Sequence, residues 1–126
     1  MTKQKRTGTV LIVDDEEAIR ELVKSVLAAE GHQVLAADCG TDAVSQAEEA
    51  KPDLVLMDIN MPDMNGYQAT RRIKEVPSLE DTPVVFLTGR SAEEDAGRSF
   101  AYGAIAYVCK PFSAKELSDL VQATLP

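Results

Sequence analysis

The stretch Leu54-Val55-Leu56-Met57-Asp58 decides the fold, because a run of apolar residues leads directly into a carboxylate. The unbroken run predicts a strand buried on both faces, as in a parallel sheet covered by helices. Pro62 and the Asn65-Gly66 pair end the strand. In open parallel sheets, ligands bind beyond the carboxyl ends of the strands, so Asp58 stands where chemistry is expected. The plain alternative is a solvated turn aspartate, since Asp is common in turns.

Four further stretches have the apolar, β-branched composition of strands. They are residues 9–13, 33–37, 84–87 and 104–109. The second of them is the weakest, and we expect it at the edge of the sheet. Helical patterns separate the strands, and this alternation predicts an α/β fold with a doubly wound parallel sheet.

Five helices are predicted between and after these strands. The first ends at Gly31, the second has a face of small residues, and the third begins at Asn65 with a capping box to Gln68. The fourth, opening at Ser91, is the poorest, because Gly97 inside it costs about 1 kcal/mol relative to Ala, and we expect it to shift easily. The apolar stripe of the first helix is Ile19, Leu22, Val23, Val26 and Leu27, and that of the last, which opens with Ser113 and Glu116, is Leu117, Leu120, Val121 and Leu125.

Composition indicates one compact soluble domain. The chain has 126 residues, of which 44% are hydrophobic, enough to bury a core. Its formal charge of -8 repels phosphate backbones, which argues against direct nucleic-acid binding. No stretch of the sequence resembles a signal peptide or a membrane span, and a cytoplasmic location without membrane insertion is predicted. Residues 1–8 are polar and basic and are predicted to be a flexible segment before a domain spanning 9–126.

The soft metal ligands of the chain do not suggest a metal site. Cys39 and Cys109 lack metal or CxxC spacing, and both thiols are predicted to be reduced and to lie in or near the core. The lone His32 follows Gly31 and is interpreted as a loop residue.

Polar side chains stand at the carboxyl ends of the four best strands: Asp14 and Asp15, Asp58, Thr88 and Lys110. In a parallel sheet these residues share one edge. Three carboxylates repel one another, and one lysine cannot neutralise them all, so a divalent cation is indicated. Hard oxygen ligands are typical of Mg²⁺ rather than of zinc.

Each of these residues also has an ordinary structural interpretation. Asp14 has capping-box spacing to Glu17, Thr88 could cap a helix, and Lys110 could be a solvated surface lysine. Together with the turn interpretation of Asp58, this makes four coincidences on one sheet edge. Such a combination is improbable, so a shared chemical role is favoured.

The chemistry that these groups favour is phosphoryl transfer. A carboxylate can attack a phosphoryl group to give an acyl phosphate, and the charge on the transferring oxygens must be met by a metal, a cation and hydrogen-bond donors. Asp58 is central and is the predicted nucleophile. Asp14 and Asp15 would hold Mg²⁺, Lys110 would pair with one phosphoryl oxygen, and Thr88 would donate a hydrogen bond to another.

From residue 9 to residue 125, the sequence resembles a response-regulator receiver domain. The resemblance rests on Val10-Leu11-Ile12-Val13-Asp14-Asp15, on Asp58 with Met61-Pro62 and Gly66, on Thr88, and on Lys110-Pro111-Phe112. It implies a flavodoxin-like (βα)5 fold whose five-stranded parallel sheet has the order 2-1-3-4-5.

The resemblance also implies how the domain works. Asp58 would accept a phosphoryl group from a phosphohistidine on a sensor histidine kinase or a histidine phosphotransfer protein. Mg²⁺ would be bound by Asp15, Asp58 and the backbone carbonyl of Asn60, with Asp14 assisting. Such a domain is a signalling switch with self-catalysed phosphoryl transfer and slow autodephosphorylation, not an enzyme with a separate substrate.

Switching would involve further residues that match the family pattern. The resemblance implies that Thr88 moves toward the phosphoryl group, that Tyr107 turns inward, and that the Lys110–Pro111 peptide is cis. The position of Arg90, like that of Asn60, influences the lifetime of the phosphoryl group in this family. The segment before Tyr107 lacks the acidic pair that is frequent in the winged-helix transcription-factor branch, which weakens the case for the dimer of that branch.

Three alternatives belong to other functional classes. One is a receiver-like interaction module that works without phosphorylation. A haloacid-dehalogenase-like phosphohydrolase is less favoured, because Asn60 stands where that family has the second Asp of a DxD pattern, and the chain has no room for a cap domain. A flavin binder is disfavoured, because residues 14–17 are all acidic and would repel the flavin phosphate. We expect a stand-alone regulator rather than a receiver within a longer protein.

Overall fold

Parallel strands form one sheet with the order β2-β1-β3-β4-β5. The computed structural model describes residues 6–89 and 103–126. The doubly wound sheet, its order and the edge position of the second strand are confirmed. The strands are β1 (Thr9–Val13), β2 (Gln33–Ala37), β3 (Leu54–Asp58), β4 (Val84–Thr88) and β5 (Ala106–Cys109).

Helices connect the strands on both faces of the sheet. In the described part of the chain they are α1 (Glu17–Ala29), α2 (Gly40–Ala50), α3 (Gly66–Lys74) and the C-terminal helix (Ala114–Thr124). The two capping boxes predicted for α3 and the C-terminal helix are present, at Asn65 with Gln68 and at Ser113 with Glu116. The helix predicted to open at Ser91 lies outside the described residues.

The sheet separates two hydrophobic clusters, because successive side chains of a strand point to opposite faces. Every residue of β3 and of β4 is buried, as the unbroken apolar runs predict. One cluster holds Leu11, Val55 and Phe86 with side chains of α2 and α3, and the other holds Ile12, Leu56 and Leu87 with side chains of α1 and the C-terminal helix. Burial of each large apolar side chain contributes about 1.5–3 kcal/mol to the stability of the fold. The strands are therefore held firmly in the core, and so are the residues at their ends.

Several sequence-based expectations differ from the structure. Leu22 belongs to the predicted apolar stripe of α1 but is 39% exposed. The residues of that helix that are fully buried are Val23 and Leu27. Cys109 is exposed and Cys39 half-buried, so the prediction of core cysteines is wrong for Cys109. The reason is that Cys109 is the last residue of β5, where the neighbouring strand also ends.

Two loop segments are more ordered than their composition indicates. The segment before β4 contains a 3-10 turn, Pro77–Leu79, whose Leu79 is buried. His32 does lie in a loop, but it is buried, and its Nδ1 accepts a hydrogen bond from the Gly8 amide at 3.2 Å. Arg6 is also tied to the domain, because its guanidinium donates to the Leu125 carbonyl at 2.9 Å.

Within residues 6–89 and 103–126, a membrane-spanning helix is not found, since none is both long and apolar enough.

Candidate functional site

The predicted strand-end residues meet at one edge of the sheet. Asp14 and Asp15 follow β1, Asp58 ends β3, Thr88 ends β4, and Lys110 follows β5. Asp14 and Asp58 are buried, whereas Asp15 is exposed. Carboxylate oxygens of the three aspartates lie within 4.8 Å of one another. The parallel register explains this meeting, because it brings the ends of β1 and β4 to either side of β3.

Lys110 reaches into this acidic cluster. Its Nζ lies 2.6 Å from Asp14 Oδ2, 3.3 Å from Asp58 Oδ1 and 3.7 Å from Glu16 Oε1. Burial tends to lower the pKa of Lys110, but the hydrogen bond with Asp14 and the charges of Asp58 and Asp14 outweigh it, and the pKa is raised. The lysine therefore remains a cation throughout the physiological pH range.

Asp58 occupies an unfavourable place for a carboxylate. Burial, followed by the charge of Asp14, raises its pKa from 3.8 to about 6, even though Lys110 and the Asn60 amide act in the opposite direction. The Asn60 amide donates to Asp58 Oδ1 at 3.4 Å. Lys110 binds the same oxygen, so one carboxylate oxygen receives both contacts. At neutral pH Asp58 is mostly ionised and therefore competent as a nucleophile.

The donor set is that of a hard divalent cation. Among the residues that the structure describes at this edge, three aspartate carboxylates face one ammonium group, so negative charge is in excess. Oxygen ligands from two buried side chains and one exposed side chain, open to water on one side, suit Mg²⁺ better than zinc. Asn60 is exposed in the β3–α3 loop (residues 59–65), next to these groups. The residues present therefore fit a magnesium ion.

Thr88 and Tyr107 lie on neighbouring strands behind this cluster. Thr88 is buried, and within residues 6–89 and 103–126 its hydroxyl makes only long contacts, donating to the Val108 carbonyl at 3.5 Å and lying 3.7 Å from Cys109 Sγ. Its own carbonyl accepts from the Lys110 amide at 2.7 Å, which joins the two strand ends. Tyr107 is half-buried and packs against the hydrophobic cluster of α2 and α3. A hydroxyl held so loosely can be reoriented at little cost.

Two further residues at the site lacked a sequence-based assignment. Glu16 is a third carboxylate partner of Lys110, and Arg20 donates from its guanidinium to the Asp14 carbonyl at 2.9 Å. Two features of the sequence could have indicated these residues. They are the acidic run after β1 and the spacing of four residues between Glu16 and Arg20. The capping-box alternative for Asp14 is wrong: Glu16 is the N-cap residue of α1 and makes no side-chain cap, while Asp14 Oδ1 accepts from the Glu16 amide at 2.9 Å.

The peptide bond after Lys110 is cis, as the resemblance implied. All the predicted site residues that the structure describes lie at or just behind the same sheet edge. They are Asp14, Asp15, Asp58, Asn60, Thr88, Tyr107 and Lys110. Arg90 lies outside the described residues.

Comparison with known proteins gives one consistent family. Residues 10–122 match the family model described as the response regulator receiver domain. The phosphate regulon transcriptional regulatory protein PhoB of Escherichia coli is 41% identical over 116 residues, which are 92% of this chain and 51% of PhoB. The chain thus spans about half the length of this relative. Protein PilH of Pseudomonas aeruginosa is 39% identical over 116 residues, which cover 92% of this chain and 96% of PilH.

Solved structures give the same result for the fold. The chemotaxis protein CheY4 of Vibrio cholerae matches with a TM-score of 0.90 and 31% sequence identity, covering 95% of this chain and 100% of that one. NtrX of Brucella abortus matches with a TM-score of 0.87 and 32% identity, covering 95% of this chain but 27% of NtrX. The fold described above is therefore shared with these solved structures.

Proposed function

Because this chain belongs to the family of response regulator receiver domains, we propose that Asp58 is its phosphoacceptor and that Thr88, Tyr107 and Lys110 convert phosphorylation into a change of surface. Receiver domains of response regulators receive phosphoryl groups from histidine kinases in two-component signalling, and they act as switches rather than as classical enzymes. The observation that carries the assignment is Lys110, whose Nζ contacts both Asp14 and Asp58 at the end of the central strand.

The proposed reaction is a displacement at phosphorus. A carboxylate oxygen of Asp58 attacks the phosphoryl group of a phosphohistidine, so an O–P bond forms, the P–N bond breaks, and the electron pair returns to the imidazole nitrogen. The ammonium group of Lys110 pairs with one phosphoryl oxygen, and the Thr88 hydroxyl donates to another. The donor is a sensor histidine kinase or a histidine phosphotransfer protein. Because the domain's own residues carry the chemistry, transfer and slow loss of the phosphoryl group are self-catalysed.

Magnesium fits the acidic cluster as the cofactor of this reaction. The ligands would be Asp15, Asp58 and the backbone carbonyl of Asn60, with Asp14 holding the geometry. When bound, Mg²⁺ neutralises the charge that gathers on the phosphoryl oxygens. With Mg²⁺ bound, Asp14, Asp15 and Asp58 would repel one another less.

Phosphorylation would reach the surface through β4 and β5. A phosphoryl oxygen offers the Thr88 hydroxyl a charged acceptor in place of its 3.5 Å contact to Val108. Movement of Thr88 leaves space toward which the half-buried Tyr107 turns, and the exposed surface around β5 changes. The downstream partner is a protein, since the charge of the chain opposes direct contact with nucleic acid.

The comparisons favour the phosphorylated switch over the other classes. A phosphohydrolase of the haloacid-dehalogenase type needs a second carboxyl group two residues after the nucleophile, and an amide, Asn60, stands there. An interaction module that works without phosphorylation is the remaining alternative, and the following experiment separates it from the proposed function.

We expect Asp58→Asn to abolish phosphorylation while the fold is retained, because an amide is not a nucleophile toward phosphorus at neutral pH. Phosphoramidate with Mg²⁺ supplies a P–N bond like that of phosphohistidine, and intact-mass spectrometry counts the phosphoryl groups gained. Beryllofluoride, a phosphoryl mimic, is then titrated with Mg²⁺ while amide chemical shifts are followed. The wild type is expected to shift around Asp58, Thr88, Tyr107 and Lys110, and the variant is not.

Labelling of another residue at an undiminished rate in Asp58→Asn would contradict the assignment. Mg²⁺ binding in the wild type without any response to phosphoramidate or beryllofluoride would favour the unphosphorylated interaction module.

Lys110→Ala is expected to separate phosphorylation from switching. The loss of the ammonium group that contacts Asp14 and Asp58 leaves the Mg²⁺ ligands in place, so Mg²⁺ affinity is retained or increased. The phosphoryl group then lacks its ammonium partner, and the shifts of Thr88 and Tyr107 on beryllofluoride binding are expected to disappear. Lys115→Ala is the matched control, since Lys115 is an exposed lysine paired with Asp119 at 2.7 Å. A full Tyr107 response in Lys110→Ala would contradict the role of this lysine.

A further inference from the structure

The β3–α3 loop is fixed at its base and at its tip. At the base, the Gly66 amide donates to the Ile59 carbonyl at 2.7 Å. At the tip, Asp63 Oδ1 accepts from the Gly40 amide at 2.9 Å, and Asp63 Oδ2 accepts from the amide and the hydroxyl of Thr41 at 2.9 and 2.8 Å. The tip of this loop is thereby attached to the first residues of α2, more than twenty positions earlier in the chain.

Asp63 supplies what α2 lacks. The N-cap residue of α2 is Cys39, and it makes no side-chain cap. The first amides of a helix need an acceptor, and a carboxylate is favoured there by the positive end of the helix dipole. The hydrogen bonds from Gly40 and Thr41 hold the pKa of Asp63 well below its usual range, so it is ionised at every physiological pH.

Close packing beside the hydrogen bonds is a separate observation. A Cβ at position 40 would lie 2.2 Å from Met64 Cγ and 2.8 Å from Met64 Sδ. The residue after Asp63 therefore occupies the space that a side chain at the start of α2 would need. The Met64 amide also donates to Asp63 Oδ1 at 2.9 Å, so this oxygen accepts from both Gly40 and Met64.

We infer that Asp63 is a positioning residue for the phosphoacceptor site, because by fixing the β3–α3 loop to α2 it holds Asn60 against Asp58. Asn60 lies three residues before Asp63, is exposed, and contacts Asp58 through an amide hydrogen bond of 3.4 Å. Without the hydrogen bonds of Asp63, the base of the loop, the packing of Met64 and the Asn65 cap still hold residues 60–65, but the direct tie between the loop tip and α2 is lost. This inference rests on the proposed function, since it concerns the carbonyl that Asn60 presents to Mg²⁺.

The test compares Mg²⁺ affinity in Asp63→Ala, in a matched control and in the wild type, from amide shifts in the absence of any phosphoryl donor. Asp63→Ala is expected to raise the Kd for Mg²⁺ about tenfold, the lower end of the effect of residues that orient metal ligands. Hydrogen exchange of the amides of Gly40 and Thr41 and of the loop is expected to accelerate. The control is Asp53→Ala: Asp53 Oδ2 also accepts a backbone hydrogen bond, from Thr9 at 2.8 Å, but at the opposite edge of the sheet.

Thr41→Val gives a graded version of the same test, because it removes the hydroxyl donor and keeps both amides. Its Kd for Mg²⁺ is expected between those of wild type and Asp63→Ala, and Thr41→Ser is expected to restore the wild-type value. The phosphoramidate reaction should be slow in Asp63→Ala at low Mg²⁺ and should recover at saturating Mg²⁺, as expected of a residue that acts through ligand positioning.

Each outcome bears on a different claim. A Kd in Asp63→Ala equal to that in Asp53→Ala and wild type, with wild-type phosphorylation, overturns the role of Asp63 and leaves the phosphoacceptor assignment intact. A rate that stays low at saturating Mg²⁺ also overturns it, because the defect then lies elsewhere. Absence of Mg²⁺ binding and of phosphorylation in the wild type overturns the proposed function and this inference together.

Discussion

Gly66→Ala is expected to destabilise the protein by about 3 kcal/mol, the upper part of the range for overpacking, although alanine is the better helix former. A Cβ at position 66 would lie 2.4 Å from the Asp58 carbonyl oxygen and 3.0 Å from Ile59 Cα. Both are backbone atoms at the end of β3, so they cannot yield by rotating a side chain. The helix start must therefore move away from the strand, which stretches the Gly66 to Ile59 hydrogen bond of 2.7 Å.

The effect of this substitution should also reach Asp58, the proposed phosphoacceptor. Because the clash is with the backbone of Asp58 itself, the carboxylate is displaced, and phosphorylation by phosphoramidate should slow at every Mg²⁺ concentration. Urea unfolding followed by circular dichroism measures the stability. Gly89→Ala is the control, since a Cβ there meets no atom of the described residues within 4 Å. Equal unfolding midpoints for the two alanine variants would contradict the steric argument.

The sheet could be predicted because its strands have uniform surroundings. The runs ending at Val13, Asp58 and Thr88 are apolar without interruption, since both faces of each strand are covered by helices. Once the strands are parallel, the edge that holds Asp14, Asp58 and Lys110 follows from chain direction alone. The strand order could not be predicted in this way, because nothing in the local sequence specifies which strands are neighbours in the sheet. The predicted order came from the family resemblance.

The parts that sequence did not predict depend on contacts between distant segments. Asp63 caps a helix that begins 23 positions earlier in the chain, and a capping pattern within one segment cannot reveal this. Glu16 shares Lys110 with two buried aspartates through a fold-dependent approach of 3.7 Å. Leu22 has the spacing of a buried residue, but whether that side of α1 is covered depends on where the C-terminal helix packs. Local periodicity determines the faces of a helix, and tertiary packing determines how much of each face is buried.

Asp58→Asn is expected to stabilise the metal-free protein by roughly 1–3 kcal/mol at neutral pH. Burial and the charge of Asp14 raise the pKa of Asp58 from 3.8 to about 6, which corresponds to a cost of at most about 3 kcal/mol for ionising it in the folded state. Lys110 loses little in the variant, because its shorter contact, 2.6 Å, is with Asp14. The substitution thus removes a charge that the proposed function requires but that the fold itself does not need.

The pH dependence provides the sharper measurement, because its sign is fixed by the direction of the pKa shift. Between 3.8 and about 6, the folded wild type holds a proton on Asp58 that the unfolded chain has released, so the contribution of Asp58 to stability falls as pH rises through this range and is constant above it. The variant lacks this fall, and Asp119→Asn, at an exposed aspartate, should retain it. Added Mg²⁺ should stabilise the wild type strongly and Asp58→Asn weakly, since binding to the folded state alone raises stability with ligand concentration. Wild type and Asp58→Asn could instead show the same dependence of the free energy of unfolding on pH. That result would mean that the neighbours of Asp58 do not raise the pKa of its carboxyl group, and that the acidic cluster does not need a cation to offset its charge.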